Sequence, residues 1–151
     1  MEKSKNFDEI EILLVEDNPG DAELTLRALT KNNLVNNVFV VRDGEEALEF
    51  IFCKGRYADR NISLPPKVIL LDLNLPKVSG LEVIKIIKSD ERTKTIPIVV
   101  VSDSHENSDL KEAYKLGVNS YILKPVVFEN FVKAINDAGA YWVSVNQQAK
   151  K

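Results

Sequence analysis

Short apolar runs, mostly β-branched, alternate along this chain with longer stretches in which apolar residues recur every third or fourth position. The short runs are Ile10–Val15, Val38–Val41, Val68–Leu71, Ile98–Val101 and Ser120–Leu123. The third, with no charge to mark an outer face, reads as a strand buried on both sides, and the other short runs read as strands as well. The longer stretches read as helices. Asp17-Asn18-Pro19 opens the first, with an Asp or Asn cap and a proline in the first turn. Ala22, Leu26 and Leu29, with Leu24 and Ala28 beside them, supply its apolar face. Asp43-Gly44-Glu45-Glu46 begins the second, with Ala47, Leu48, Ile51 and Phe52 on a common side. Ser79 and Gly80 begin the third, where Leu81, Val83, Ile84 and Ile87 recur at helical spacing. Glu106–Leu116 makes the fourth, which stops at Gly117. Phe128, Phe131, Val132, Ile135 and Ala138 mark the fifth, running to about Trp142.

Strict alternation of strand and helix predicts a parallel sheet with helices on both faces. Right-handed crossovers then favour a five-stranded α/β doubly wound sheet in the flavodoxin-like order 2-1-3-4-5. The connection Cys53–Pro66 is longer than the others and reads as a surface loop extending the second helix. The whole chain, 1–151, is expected to be a single domain with a core over about 9–143 and a polar tail over 144–151.

Composition changes this picture little. Hydrophobic residues make up 44% and charged residues 28%, as in an ordinary soluble protein. A net charge of −3 argues against a chain built to grip nucleic acid. One cysteine, Cys53, cannot form an internal disulfide, and the N-terminus carries no apolar stretch for a signal peptide or membrane span, so a cytoplasmic location is expected.

The candidate chemistry lies where the strands end. Ligands of open parallel sheets bind beyond the carboxyl ends of the strands, near the switch in strand order. The first strand ends in Glu16-Asp17 and the third in Asp72, so three carboxylates converge on one rim. Such a cluster repels itself, and a hard divalent cation such as Mg²⁺ would neutralise it. Ser102 closes the fourth strand and Lys124-Pro125 follows the fifth, bringing a hydroxyl and an ammonium to the same rim. A metal, a hydroxyl and a lysine around one carboxylate suit a phosphoryl group carried on that carboxylate.

Glu16-Asp17, Asp72, Ser102 and Lys124-Pro125, each at its own strand end, resemble the receiver domain of two-component response regulators over nearly the whole chain. The long connection before the third strand, the phrase LLDLNLPKVSG and the pair Tyr141-Trp142 resemble the single-domain receivers that partner phytochrome-like sensor kinases. The resemblance implies that Asp72 accepts a phosphoryl group from a histidine kinase or a histidine phosphotransfer protein. It implies that Glu16, Asp17, Asp72 and the Asn74 backbone carbonyl hold Mg²⁺, and that Lys124 and Ser102 bind phosphoryl oxygens. Tyr121 takes the place of the aromatic switch, and the Lys124–Pro125 peptide that of a cis bond. With no output domain attached, the output is expected to be a protein contact with a downstream target, or a homodimer in which Tyr141 and Trp142 serve as anchors.

Asp103 departs from the small residue usual after the hydroxyl. Pointing inward it would repel phosphate; capping the fourth helix it would be harmless. Other readings stand beside the main one. A phosphorylation-independent binding module with a vestigial site is one. A phosphatase using Asp72 as nucleophile is another, although Asn74 stands where such an enzyme needs a general acid. His105 reads as a solvated surface residue, Cys53 as a helix-end packing residue, and Trp142 could equally pack against the neighbours of the fifth helix.

Overall fold

Each apolar run forms a strand. The computed structural model describes residues 7–30, 37–103 and 107–137. Its strands are β1 (Ile12–Val15), β2 (Val38–Val41), β3 (Val68–Asp72), β4 (Ile98–Ser102) and β5 (Ser120–Leu123). All pair in parallel in the order β2-β1-β3-β4-β5, as the alternation predicts. β3 and β4 each run one residue past their apolar runs, so Asp72 and Ser102 are themselves strand residues.

The central strands have no exposed face. Leu13, Val15, Ile69, Leu71 and Val100 point into one core, and Ile12, Leu14, Val68, Leu70, Val99 and Val101 into the other. Successive strand residues point to opposite faces, so burial of both faces requires an unbroken apolar run. The helices α1 (Pro19–Thr30) and α5 (Phe128–Asp137) cover the second core, through Ala22, Leu29, Phe131 and Ala134. The helices α2 (Gly44–Phe52), α3 (Gly80–Lys88) and α4 (Asn107–Leu116) cover the first.

Local chemistry sets the helix starts. The Asn18 Oδ1 accepts the Asp21 N–H at 2.9 Å, so Asn18 caps α1. Asp43 caps α2 and Ser79 caps α3, each accepting the N–H three residues on. α4 ends before Gly117, whose φ is +108°.

Three expectations change. The buried positions of α1 are Ala22, Thr25 and Leu29, while Leu24 is 51% exposed. In α2, Phe50 takes the interior place and Phe52 is half-buried at the rim. The connection after α2 is more than a surface loop. It contains a 3₁₀ turn over Gly55–Tyr57, and Tyr57 and Arg60 are buried. The Tyr57 ring packs edge-on against Phe50 at 5.0 Å, and the Arg60 guanidinium lies 4.2 Å from the centre of the Phe50 ring. Among the described residues no helix is long and apolar enough to cross a membrane.

Candidate functional site

β1 pairs with both β2 and β3, which puts the reversal of strand order at the carboxyl ends of β1 and β3. Asp72, the last residue of β3, is 4% exposed. Its Oδ1 accepts the Asn74 N–H at 3.1 Å, and its Oδ2 accepts from Lys124 Nζ at 3.0 Å. The backbone behind it is held by α3. Gly80 N–H donates to the Leu73 carbonyl, and a β-carbon at Gly80 would lie 2.7 Å from the Asp72 carbonyl oxygen. Only glycine lets the helix start this close to the strand end.

Glu16 follows β1 directly and its N–H continues the ladder to the Val41 carbonyl. Its side chain is almost fully buried, with Oε2 accepting the Asn18 N–H at 3.2 Å and Oε1 3.0 Å from Lys124 Nζ. Burial pushes the Glu16 carboxyl above the usual carboxylate range; the Lys124 contact opposes that shift and the Asp72 charge adds to it. Asp17 is exposed.

Lys124 is placed by backbone as well as by charge. Its N–H donates to the Ser102 carbonyl at 2.7 Å, and the Lys124–Pro125 peptide is cis, as the resemblance implies. Burial on its own would depress the ammonium. Contacts to Asp21, Glu16 and Asp72 outweigh it and raise the pKa above the ordinary lysine value.

Carboxylate oxygens of Glu16, Asp17 and Asp72 lie within 4.8 Å of one another. The set is all oxygen, one member is open to water, and the Lys124 ammonium contacts Glu16 and Asp72 of the set while it also contacts Asp21. This donor set fits a hard divalent cation that keeps several of its own waters.

Ser102 is 6% exposed and pairs in register with Leu123, the residue before Lys124, so the hydroxyl-bearing residue and the lysine share this rim. Asn74 is exposed and meets Asp72 through its backbone N–H. Asp103 is exposed. Tyr121 stands apart from the rim, 42% exposed, its ring edge-on to Tyr114 at 6.2 Å. His105, Tyr141 and Trp142 lie outside the described residues.

One member of the site was not read from the sequence. Asp21 Oδ2 lies 2.9 Å from Lys124 Nζ. An acid one helical turn beyond Asp17, in the first turn of the helix leaving β1, was the signal that could have found it.

The model of the response regulator receiver domain family matches residues 12–136. Among solved structures, that of the bacteriophytochrome response regulator AtBRR is 50% identical and covers 89% of this chain and 96% of that one, at a TM-score of 0.80. The phosphorylated cyanobacterial phytochrome response regulator RcpA is 40% identical, with 89% and 94% covered and a TM-score of 0.73. The Mn²⁺-bound form of Rcp1 is 36% identical, with 87% and 93% covered and a TM-score of 0.71. Rcp1 of Synechocystis sp. is also similar as a sequence, 36% identical over 132 residues, 87% of this chain and 88% of that protein. The expected resemblance to regulators associated with phytochromes is borne out.

Proposed function

Since the chain belongs to the response regulator receiver domain family, we propose that it is a signalling switch in which Asp72 accepts a phosphoryl group from the phosphohistidine of a sensor kinase or phosphotransfer protein. The observation that carries this reading is the setting of Asp72: a nearly buried carboxylate at a strand end, within reach of an ammonium and part of a three-acid cluster. An Asp72 oxygen attacks phosphorus, the P–N bond to the donor imidazole breaks with its electron pair left on nitrogen, and a proton restores the neutral imidazole.

Glu16, Asp17, Asp72 and the Asn74 carbonyl are the groups assigned to Mg²⁺. When bound, the cation neutralises the acid cluster and the charge on the transferring group. Lys124 donates to one phosphoryl oxygen and the Ser102 hydroxyl to another. With the Ser102 side chain drawn toward the phosphoryl group, space opens behind it, and the Tyr121 ring turns inward to fill it. The surface of α4, β5 and α5 then differs between the two states, and a downstream protein or a second copy of the chain reads the difference.

The similarity to AtBRR and RcpA, both phytochrome response regulators, supports a phytochrome-type sensor kinase as the donor. That RcpA was solved in a phosphorylated form supports phosphorylation. Transfer from such a kinase would take place in the cytoplasm. The chain is not assigned an enzymatic turnover, because Asn74 offers no acid for protonating a leaving group from a free phosphomonoester.

The test is intact-protein mass after incubation with acetyl phosphate, with and without Mg²⁺, for the wild type and Asp72→Asn. One added phosphoryl group that needs both Mg²⁺ and Asp72 supports the switch. No adduct under any condition leaves the phosphorylation-independent binding module.

A further inference from the structure

Lys124 is held by more than the acids of the phosphoacceptor cluster. Its Nζ lies 3.0 Å from Glu16 Oε1, 2.9 Å from Asp21 Oδ2 and 3.0 Å from Asp72 Oδ2. An ammonium has three donors, so each can serve a different carboxylate. Two of these carboxylates also belong to the cluster of Glu16, Asp17 and Asp72 that fits a cation; Asp21 does not. A cation drawn into that cluster would take over oxygens of Glu16 and Asp72, whereas the Asp21 oxygen stays with the lysine.

The backbone that carries Asp21 is well fixed. The residue sits in the first turn of α1, where its N–H is fixed by Asn18 Oδ1 at 2.9 Å and the next N–H by the Asn18 carbonyl at 2.9 Å. An acid there interacts favourably with the helix N-terminus whatever else it does. A helix-end role alone does not bring it to a lysine 103 positions away. A lysine side chain left without a fixed partner on the open side has many rotamers and a preference for water.

We propose that Asp21 is a positioning residue for Lys124, keeping the ammonium over Asp72 while the other two carboxylates turn to the cation, and that it thereby speeds phosphoryl transfer. The proposal rests on the phosphoacceptor reading for its effect on rate, and on geometry alone for its effect on Lys124. Asp21→Ala removes the anchor. Asp21→Asn keeps an oxygen acceptor of the same shape without the charge.

Two measurements on the full chain test this, after thermal unfolding has shown that each variant is folded. The first is the initial rate of Mg²⁺-dependent phosphoryl uptake from acetyl phosphate. Asp21→Ala is expected to slow it about five- to tenfold, with Asp21→Asn restoring it to within about threefold of the wild type. In a Lys124→Ala background, Asp21→Ala should change the rate no further. A rate in Asp21→Ala equal to or above that of the wild type overturns the proposal, and so does a loss that persists in the Lys124→Ala background.

The second is the rate at which acetic anhydride labels Lys124, read by peptide mass with Mg²⁺ present. Labelling should be several times faster in Asp21→Ala than in the wild type or Asp21→Asn. Equal labelling in all three overturns the proposal by itself. A wild type that takes up no phosphoryl group defeats the phosphoacceptor reading instead, and the labelling result still decides whether Asp21 holds the lysine.

Discussion

Lys124 Nζ stands 3.0 Å from Asp72 Oδ2 across 52 positions of sequence, and this contact ties the chain just after β5 to the end of β3. The same nitrogen answers Glu16, which is even less exposed than Asp72. Replacing Lys124 with methionine leaves two nearly buried carboxylates without their counter-charge. The open side toward Asp21 softens the loss, so the expected cost without Mg²⁺ is about 2 kcal/mol at neutral pH. Mg²⁺ should stabilise Lys124→Met more than the wild type, because it supplies the missing charge. Urea unfolding with and without the cation measures both, and equal midpoints for the two proteins would contradict the electrostatic role.

Gly80 supports the end of β3 in a different way. A β-carbon there would lie 2.6 Å from Leu73 Cα and 2.7 Å from the Asp72 carbonyl oxygen, both of them backbone atoms that cannot swing aside. Gly80→Ala is therefore expected to cost about 2 kcal/mol or more, despite the better helix propensity of alanine. Gly20→Ala is the control, since its nearest neighbour is the Asn18 side-chain oxygen at 3.3 Å. That change should be close to neutral. Chemical denaturation of the two variants side by side decides the point; a Gly80→Ala protein as stable as Gly20→Ala would mean that the helix start can move away from the strand.

Nitration of Tyr121 tests its proposed part in the switch. As a residue 42% exposed, Tyr121 should react readily with tetranitromethane in the unphosphorylated protein. Acetyl phosphate with Mg²⁺ should slow nitration of Tyr121 severalfold, and Asp72→Asn should abolish that protection. Peptide mass distinguishes Tyr121 from its neighbour Tyr114. Unchanged nitration on a phosphorylated protein would remove Tyr121 from the switch and leave it as a surface residue.

What the chain revealed in advance, and what it did not, follows from the range of the forces involved. Strands buried on both faces require uninterrupted apolar runs, so β1, β3 and β4 could be read directly; β2 and the alternately exposed β5 were legible as short apolar segments between helices, and the charged or hydroxyl residues at the strand ends stood out as a rim. Asn18, Asp43, Ser79 and Gly117 act within one helical turn and were legible for the same reason. Phe50 and Phe52 are equally apolar, and their exchange of places depends on Phe7, Phe39, Tyr57 and Arg60, which surround Phe50 from three other segments. Tyr57 and Arg60 sit in a connection rich in polar and turn-forming residues whose local pattern gives no hint of burial. Asp21 was missed because its contact is with Lys124, which approaches only when the sheet is assembled. Long-range pairing of single side chains leaves no periodic trace.

The most direct test of Asp72 as phosphoacceptor is chemical. The protein is treated with acetyl phosphate and Mg²⁺, reduced with borohydride, digested and mapped by peptide mass. Borohydride converts an aspartyl-phosphate to homoserine and leaves free aspartate alone. The expected result is homoserine at position 72 and aspartate retained at Asp17, Asp21 and Asp103. Homoserine at one of those other positions with aspartate intact at 72, or no homoserine anywhere, would contradict the assignment.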